Sequence, residues 1–147
     1  MSQEPLKLYG RSAEDMQVIS AFLQDAVAQL GDMAYLADEQ RFVMLVNRFC
    51  WEVEAAPMRV RSALQLANVT SIRQKKLNLT RREGVVALLA VSFEPQTLPG
   101  GEISLQFAGG GEIRLAVEAC EAILEDITAP WAAASRPHHE ANEEFDE

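Results

Sequence analysis

The residues of this chain that could do chemistry are few, and the densest group is basic. Residues 59–82 hold Arg59, Arg61, Arg73, Lys75, Lys76, Arg81 and Arg82 and no acidic side chain. Residues 1–58 carry 4 basic and 9 acidic groups, residues 83–147 carry 2 and 13, and the net charge is −9. Seven cations gathered in an anionic chain can bind an anion: an acidic protein surface, a phosphate or a nucleic acid. Arg73, Lys75, Lys76, Arg81 and Arg82 fall in or beside a segment poor in apolar residues, so they form the candidate strip for an anionic partner. No aromatic residue lies between Trp51 and Phe93, although single-stranded nucleic acid is usually held by stacking its bases on rings. The competing reading is a charged stretch that is merely solvated or paired with the protein's own acids.

Other candidate chemistry is weaker. Gly109-Gly110-Gly111 lacks the following Lys and Ser/Thr of a phosphate loop, since Glu112 comes next, and reads as a permissive turn. His138 and His139 are the only histidines and lie in the C-terminal stretch, where nothing would hold a general base against its substrate. Cys50 and Cys120 read as buried, reduced thiols. Cys120 is placed in the first turn of an expected helix, where a thiol pKa falls, but Glu118 and Glu121 beside it oppose that. The carboxylate pairs Glu14/Asp15, Glu118/Glu121 and Glu125/Asp126 fit helix surfaces and have no partner base. No metal site or cofactor is expected, and the sequence identifies no catalytic residue.

These groups must be positioned by a fold of 147 residues, one domain's worth of chain. Leu6 to Tyr9 alternates and reads as an edge strand. Ser12 with Asp15 three residues on resembles a capping box, and Met16, Ile19, Phe22, Leu23, Ala26, Val27 and Leu30 mark one face of a helix over about 13–29, closed by Gly31. Residues 33–37 and 41–51 read as a hairpin around a polar turn, the second strand being apolar in both phases and so covered on both faces. Strands follow over 59–67, with a phase slip near Asn68, over 85–93, and in a hairpin at 103–107 and 113–117. The spacing of Cys120, Ile123, Leu124 and Ile127 predicts a second helix over about 118–128, after which Trp131 packs back on the core. The expected fold class is α+β: a mostly antiparallel curved sheet or partial barrel of six to seven strands with two helices, in a pleckstrin-homology-like order. Residues 1–131 make one domain, and 132–147 an acidic tail too poor in apolar groups to order itself.

Several stretches resemble an uncharacterised proteobacterial family, domain of unknown function 2948. They are Ala13-Glu14-Asp15, Ile19-Ser20, Leu23-Gln24-Asp25-Ala26, Asp32 to Leu36, Asn47 to Glu52, Phe93-Glu94-Pro95, Phe107 to Leu115 and Val117-Glu118. The resemblance covers roughly residues 6–131 and implies a bacterial cytoplasmic protein, with no activity and no functional residue to carry over. The start of the chain has no basic-then-apolar leader, and its longest uncharged run, Ser62 to Ile72, is far short of the ~20 apolar residues of a membrane span. The functional expectation is a non-enzymatic binding or adaptor domain in the cytoplasm, using the basic strip for an acidic protein or RNA partner. The alternatives are an enzyme whose site is not recognisable from sequence, and homo-oligomerisation through the edge at residues 6–9.

Overall fold

The structure, a computed structural model, describes residues 4–53 and 56–133. The predicted acidic tail begins at residue 132, but Ala132 pairs with Met58 and the Ala133 amide donates to Pro57 O at 3.0 Å; the rest of it, with both histidines, falls at or beyond residue 134, outside the described residues. The chain forms β1 (Lys7–Gly10), α1 (Ala13–Leu23), β2 (Val27–Gln29), β3 (Met33–Leu36), β4 (Arg41–Phe49), β5 (Met58–Leu66) and β6 (Val69–Lys75). Then follow β7 (Val85–Pro95), β8 (Gly101–Phe107), β9 (Glu112–Val117), β10 (Ala122–Asp126) and β11 (Trp131–Ala132).

All strands pair antiparallel, in the order β1-β10-β5-β4-β2-β7-β8-β9-β6, with β3 added to β4 and β11 to β5. Strand β5 runs into β6 through Ala67 and Asn68, and β9 runs into β10 through residues 118–121. These two junctions are bonded to each other: the Glu118 amide donates to Asn68 O at 3.0 Å and the Ala67 amide to Glu121 O at 2.9 Å. A path that leaves β5 through β4, β2, β7, β8 and β9 therefore returns on β6, so the sheet curls round on itself. The bend at Asn68 has φ +60°, and the β6–β9 register shifts between Val69 and Ser71, where the sequence slips phase.

Helix α1 lies against β7. Ser12 Oγ accepts from the Asp15 amide at 3.1 Å, and Ser20 Oγ accepts from the Val91 amide at 2.9 Å, tying helix to strand. Met16, Ile19 and Leu23 enter one core with Phe42, Met44, Leu64, Leu105 and Leu115 from the strands. The close approach of β1 to α1 explains Gly10, where a Cβ would meet Ile19 and Met16 at 2.9 Å.

Several sequence expectations hold. Strands β3 and β4 form the expected hairpin, turned by a short 3-10 segment at Ala37–Glu39 and a left-handed Gln40. Strands β8 and β9 form the second, through Gly109 and Gly110 at φ +88° and +94°. The fold class does not hold. Among the described residues eleven strands join one sheet beside a single α-helix, so the fold is largely β rather than α+β with two helices and six to seven strands. Residues 118–128 are not helical. Ala122, Leu124 and Asp126 alternate inward against half-buried Ile123 and Glu125, a period of two that fits the same residues, and β5 and β1 supply backbone partners on both sides. The pleckstrin-homology-like order falls with that final helix. Helix α1 also stops at Leu23, because Gln24 leaves helical geometry and Asp25 takes φ +67°; Val27–Gln29 then fills the slot between β4 and β7. On β4 only one face is fully buried, while Val43 and Leu45 are half-buried. Trp131 is exposed on β11, paired with Arg59 rather than packed on the core.

A candidate cationic face on strands β6, β8 and β9

Alternation on β6 sends Ser71, Arg73 and Lys75 to the outer face of the sheet, opposite Ala116, Arg114 and Glu112 of β9. The next strand puts Glu102, Ser104 and Gln106 in the same rows. Arg73 and Arg114 are directly opposed, an arrangement that destabilises a sheet unless carboxylates offset it. Two do. Arg73 Nη2 meets Glu102 Oε2 at 2.7 Å and Arg114 Nη1 meets Glu102 Oε1 at 3.4 Å. Arg114 Nε meets Glu112 Oε2 at 3.0 Å and Lys75 Nζ meets Glu112 Oε1 at 3.7 Å. The Arg114 hydrogen bond, with the charges of Arg114 and Lys75, holds the Glu112 carboxyl below the usual range; in turn the Glu112 hydrogen bond and the charges of Glu112 and Glu102 raise the Arg114 guanidinium.

The two signs occupy different depths. The side chains of Arg73, Lys75 and Arg114 are 69 %, 64 % and 48 % exposed, those of Glu102 and Glu112 15 % and 11 %. The carboxylates lie beneath the cations, and Glu112 with Arg73, Lys75 and Arg114 lines a depression of about 180 Å3. Lys76 follows directly, in left-handed geometry at φ +61°.

The seven basic residues of 59–82 are thus divided. Arg73 and Lys75 stand at this face; Lys76 lies past the end of β6, its side chain beside Gly110 of the β8–β9 turn. Arg81 pairs with Glu83 at 3.8 Å, and Arg82 donates to Gly31 O at 3.1 Å, on the turn between β2 and β3. Arg59 donates to Asn47 O, and Arg61 binds Asn47 and Asp32. Sequence reasoning missed Arg114, which lies outside the basic window; its outward phase on the readable β8–β9 hairpin was the available signal.

A second charged cluster is buried. Arg48 is inaccessible to solvent and shares a face with Phe42, Met44 and Val46. Its Nε and Nη2 reach the two oxygens of Asp126 at 3.0 Å each, Nη1 and Nη2 reach Glu52 at 3.0 and 2.8 Å, and Nη1 also donates to Phe49 O at 3.3 Å. Asp126 accepts further from Ser62 Oγ at 2.7 Å and the Leu6 amide at 2.9 Å. The cluster pins β4, β5, β10 and the lead into β1 together, with every Arg48 nitrogen engaged. Burial pushes both carboxyls up, but the bonds from Arg48 outweigh it and hold them below the usual range; the two carboxylates keep Arg48 charged.

This cluster predicts acid lability. In the unfolded chain both carboxyls return to about 4. Depressed folded values mean stability that is complete above that pH and lost as pH falls through the folded values. Urea midpoints measured from pH 7 down to 2 should drop steeply below pH ~4, and Asp126→Asn, already destabilised at pH 7, should show a flatter profile. An unchanged slope in that variant would contradict the assignment.

The remaining candidates carry little chemistry. Cys120 precedes β10 rather than opening a helix, and burial with the Asp15 charge pushes its thiol up to about 11, away from a nucleophile. Cys50 is buried and reduced. Among the described residues no group of three or more His, Cys, Asp or Glu side chains is placed to hold a metal ion, and no helix is long and apolar enough to cross a membrane.

No curated protein and no solved structure matches the chain. The profile of one family, described as Protein of unknown function (DUF2948), matches residues 6–139, nearly the whole chain and including both the cationic face and the Arg48 cluster. The chain belongs to that family of proteins of unknown function, DUF2948.

Proposed function

We propose that this chain is a non-catalytic binding domain of the bacterial cytoplasm that takes an acidic segment of a protein partner on the face rimmed by Arg73, Lys75 and Arg114. The observation that carries the reading is the difference in depth: Arg73 and Lys75 are about two-thirds exposed and Arg114 about half, while Glu102 and Glu112, the carboxylates bonded to them, are sunk beneath. An approaching anion meets Arg73 and Lys75 first; the exposed Glu94 of β7 lies in the row of Glu102 and its charge acts on Arg114, so the positive end of the face is its β6 side. Protein carboxylates suit this face better than RNA. Its outward residues on β6, β8 and β9 are Ser, Arg, Lys, Ala, Glu and Gln, with no ring on which a base could stack. An enzyme is less well supported, since Asp126 and Glu52 are saturated by Arg48 and the Cys120 thiol is pushed up.

The test compares the wild type with Arg73→Gln/Lys75→Gln/Arg114→Gln for binding to polyglutamate and to polyuridylate, across a salt titration, with melting followed alongside. Exposed ion pairs contribute about 0.2–1 kcal/mol each, so three should weaken polyglutamate binding about tenfold and flatten its salt dependence. A folded triple variant that binds polyglutamate as the wild type does would overturn the proposal. So would a preference for polyuridylate.

A further inference from the structure

The cationic face ends on a strand that, among the described residues, no further strand joins on its other side. Strand β6 closes the hydrogen-bonded path, pairing with β9 alone. Hydrogen bonds from the described residues reach its open side at the start, where the Val69 amide donates to Gln40 O at 2.8 Å and Val69 O accepts from Tyr35 Oη at 3.1 Å. From Thr70 to Lys75 the open edge presents backbone donors and acceptors, a template for another strand. Edges of this kind are commonly guarded by Lys or Arg, and β6 has both. The guard is selective. A second copy pairing edge to edge would set Arg73 and Lys75 against the same cations, whereas an acidic strand would meet opposite charge at each of them.

Resting on the proposed acidic-protein partner, we infer that the partner segment binds as an added β-strand along the open edge of β6, with carboxylates at every second position. Arg73 and Lys75 lie two residues apart on one face of β6. That spacing is about 6.6–6.8 Å, the repeat of same-face side chains in any strand, so alternate glutamates or aspartates of the added strand fall into register with them. The other phase of the incoming strand falls beside half-buried Ile72 and should be β-branched or small. Backbone bonds would then supply affinity, and the alternation of charge would supply choice of partner and register.

Peptides of about eight residues, matched to the length of β6, separate this mode from simple charge attraction. One alternates glutamate and threonine; a second has the same composition with glutamates and threonines in adjacent pairs. Two more are the alternating peptide N-methylated on every glutamate or on every threonine. Only one phase of amides in an added strand faces β6, so one methylated peptide should bind within about threefold of the parent and the other at least about tenfold worse. The paired-order peptide should also bind at least about fivefold worse than the alternating one. Equal binding by the alternating and paired peptides, or both methylated peptides binding alike, would overturn strand addition. If such indifferent binding still falls in the Arg73→Gln/Lys75→Gln/Arg114→Gln variant, the acidic-partner reading survives without it. If no acidic peptide binds the wild type, both fail together.

Discussion

Arg48→Met should cost about 3–5 kcal/mol of folding stability, a large share of the 5–15 kcal/mol that holds a domain of this size together. The loss comes less from the missing ion pairs than from what they leave behind. Asp126, whose side chain is 2 % exposed, would keep only Ser62 and the Leu6 amide as partners. Glu52, 26 % exposed, would turn to water at less cost. A methionine fills the volume, so a cavity is not the cause. Arg48→Lys should fall well short of wild type, because one ammonium cannot reproduce the fork that meets both oxygens of Asp126 and both of Glu52. Arg48→Met combined with Asp126→Leu should recover a large part of the loss, since the uncompensated charge of Asp126 is then gone, Glu52 turns to water, and the neutral groups that lose a partner are the Ser62 hydroxyl, the Leu6 amide and the Phe49 carbonyl. Urea denaturation of the three variants measures this directly. A single Arg48→Met variant within about 1 kcal/mol of wild type would show that the cluster does not hold the strands together.

Phe42→Ala should cost about 3–5 kcal/mol, whereas Val43→Ala beside it should cost about 1 kcal/mol. Phe42 is 2 % exposed and is paired across the sheet with Leu66 and Tyr35, in the same core as Met16 and Leu64. Val43 points to the other face and is half-buried. Deleting a ring from a packed interior removes its transfer free energy and leaves a cavity that neighbouring strands cannot close. Trimming a half-solvated valine forfeits a fraction of that. The ratio of the two losses, read from denaturation midpoints at constant slope, reports which phase of β4 is the core. Equal losses would mean that both faces are covered, as the doubly apolar sequence of β4 leads one to expect.

That expectation marks the boundary between what local sequence carries and what it does not. Ser12 caps α1 and Gly109-Gly110 turns the β8–β9 hairpin because the groups that satisfy each other lie within a few residues, so the physics is complete inside a short window. The end of α1 was less legible. Ala26 to Leu30 continues the helical face in sequence, and only the slot between β4 and β7 makes residues 27–29 a strand. At residues 118–128 the apolar spacing fits both periods, and β5 and β1 decide between them by offering backbone partners from 58–66 and 7–10.

The charged groups follow the same rule. The sequence by itself determined that seven cations fall between residues 59 and 82 without an acid among them, and that Arg48 shares the phase of Phe42, Met44 and Val46. Only the tertiary structure decided their fates. Arg48 is neutralised by Asp126, 78 residues away, and Arg73 by Glu102, 29 residues away. Arg61 and Arg82 are drawn to Asp32 and Gly31, while Arg114 joins the face from outside the basic window. The reason is physical: a charge is matched by whatever lies within a few ångströms, and in a sheet of long-range antiparallel pairings those neighbours are chosen by register, which no local window of the chain contains.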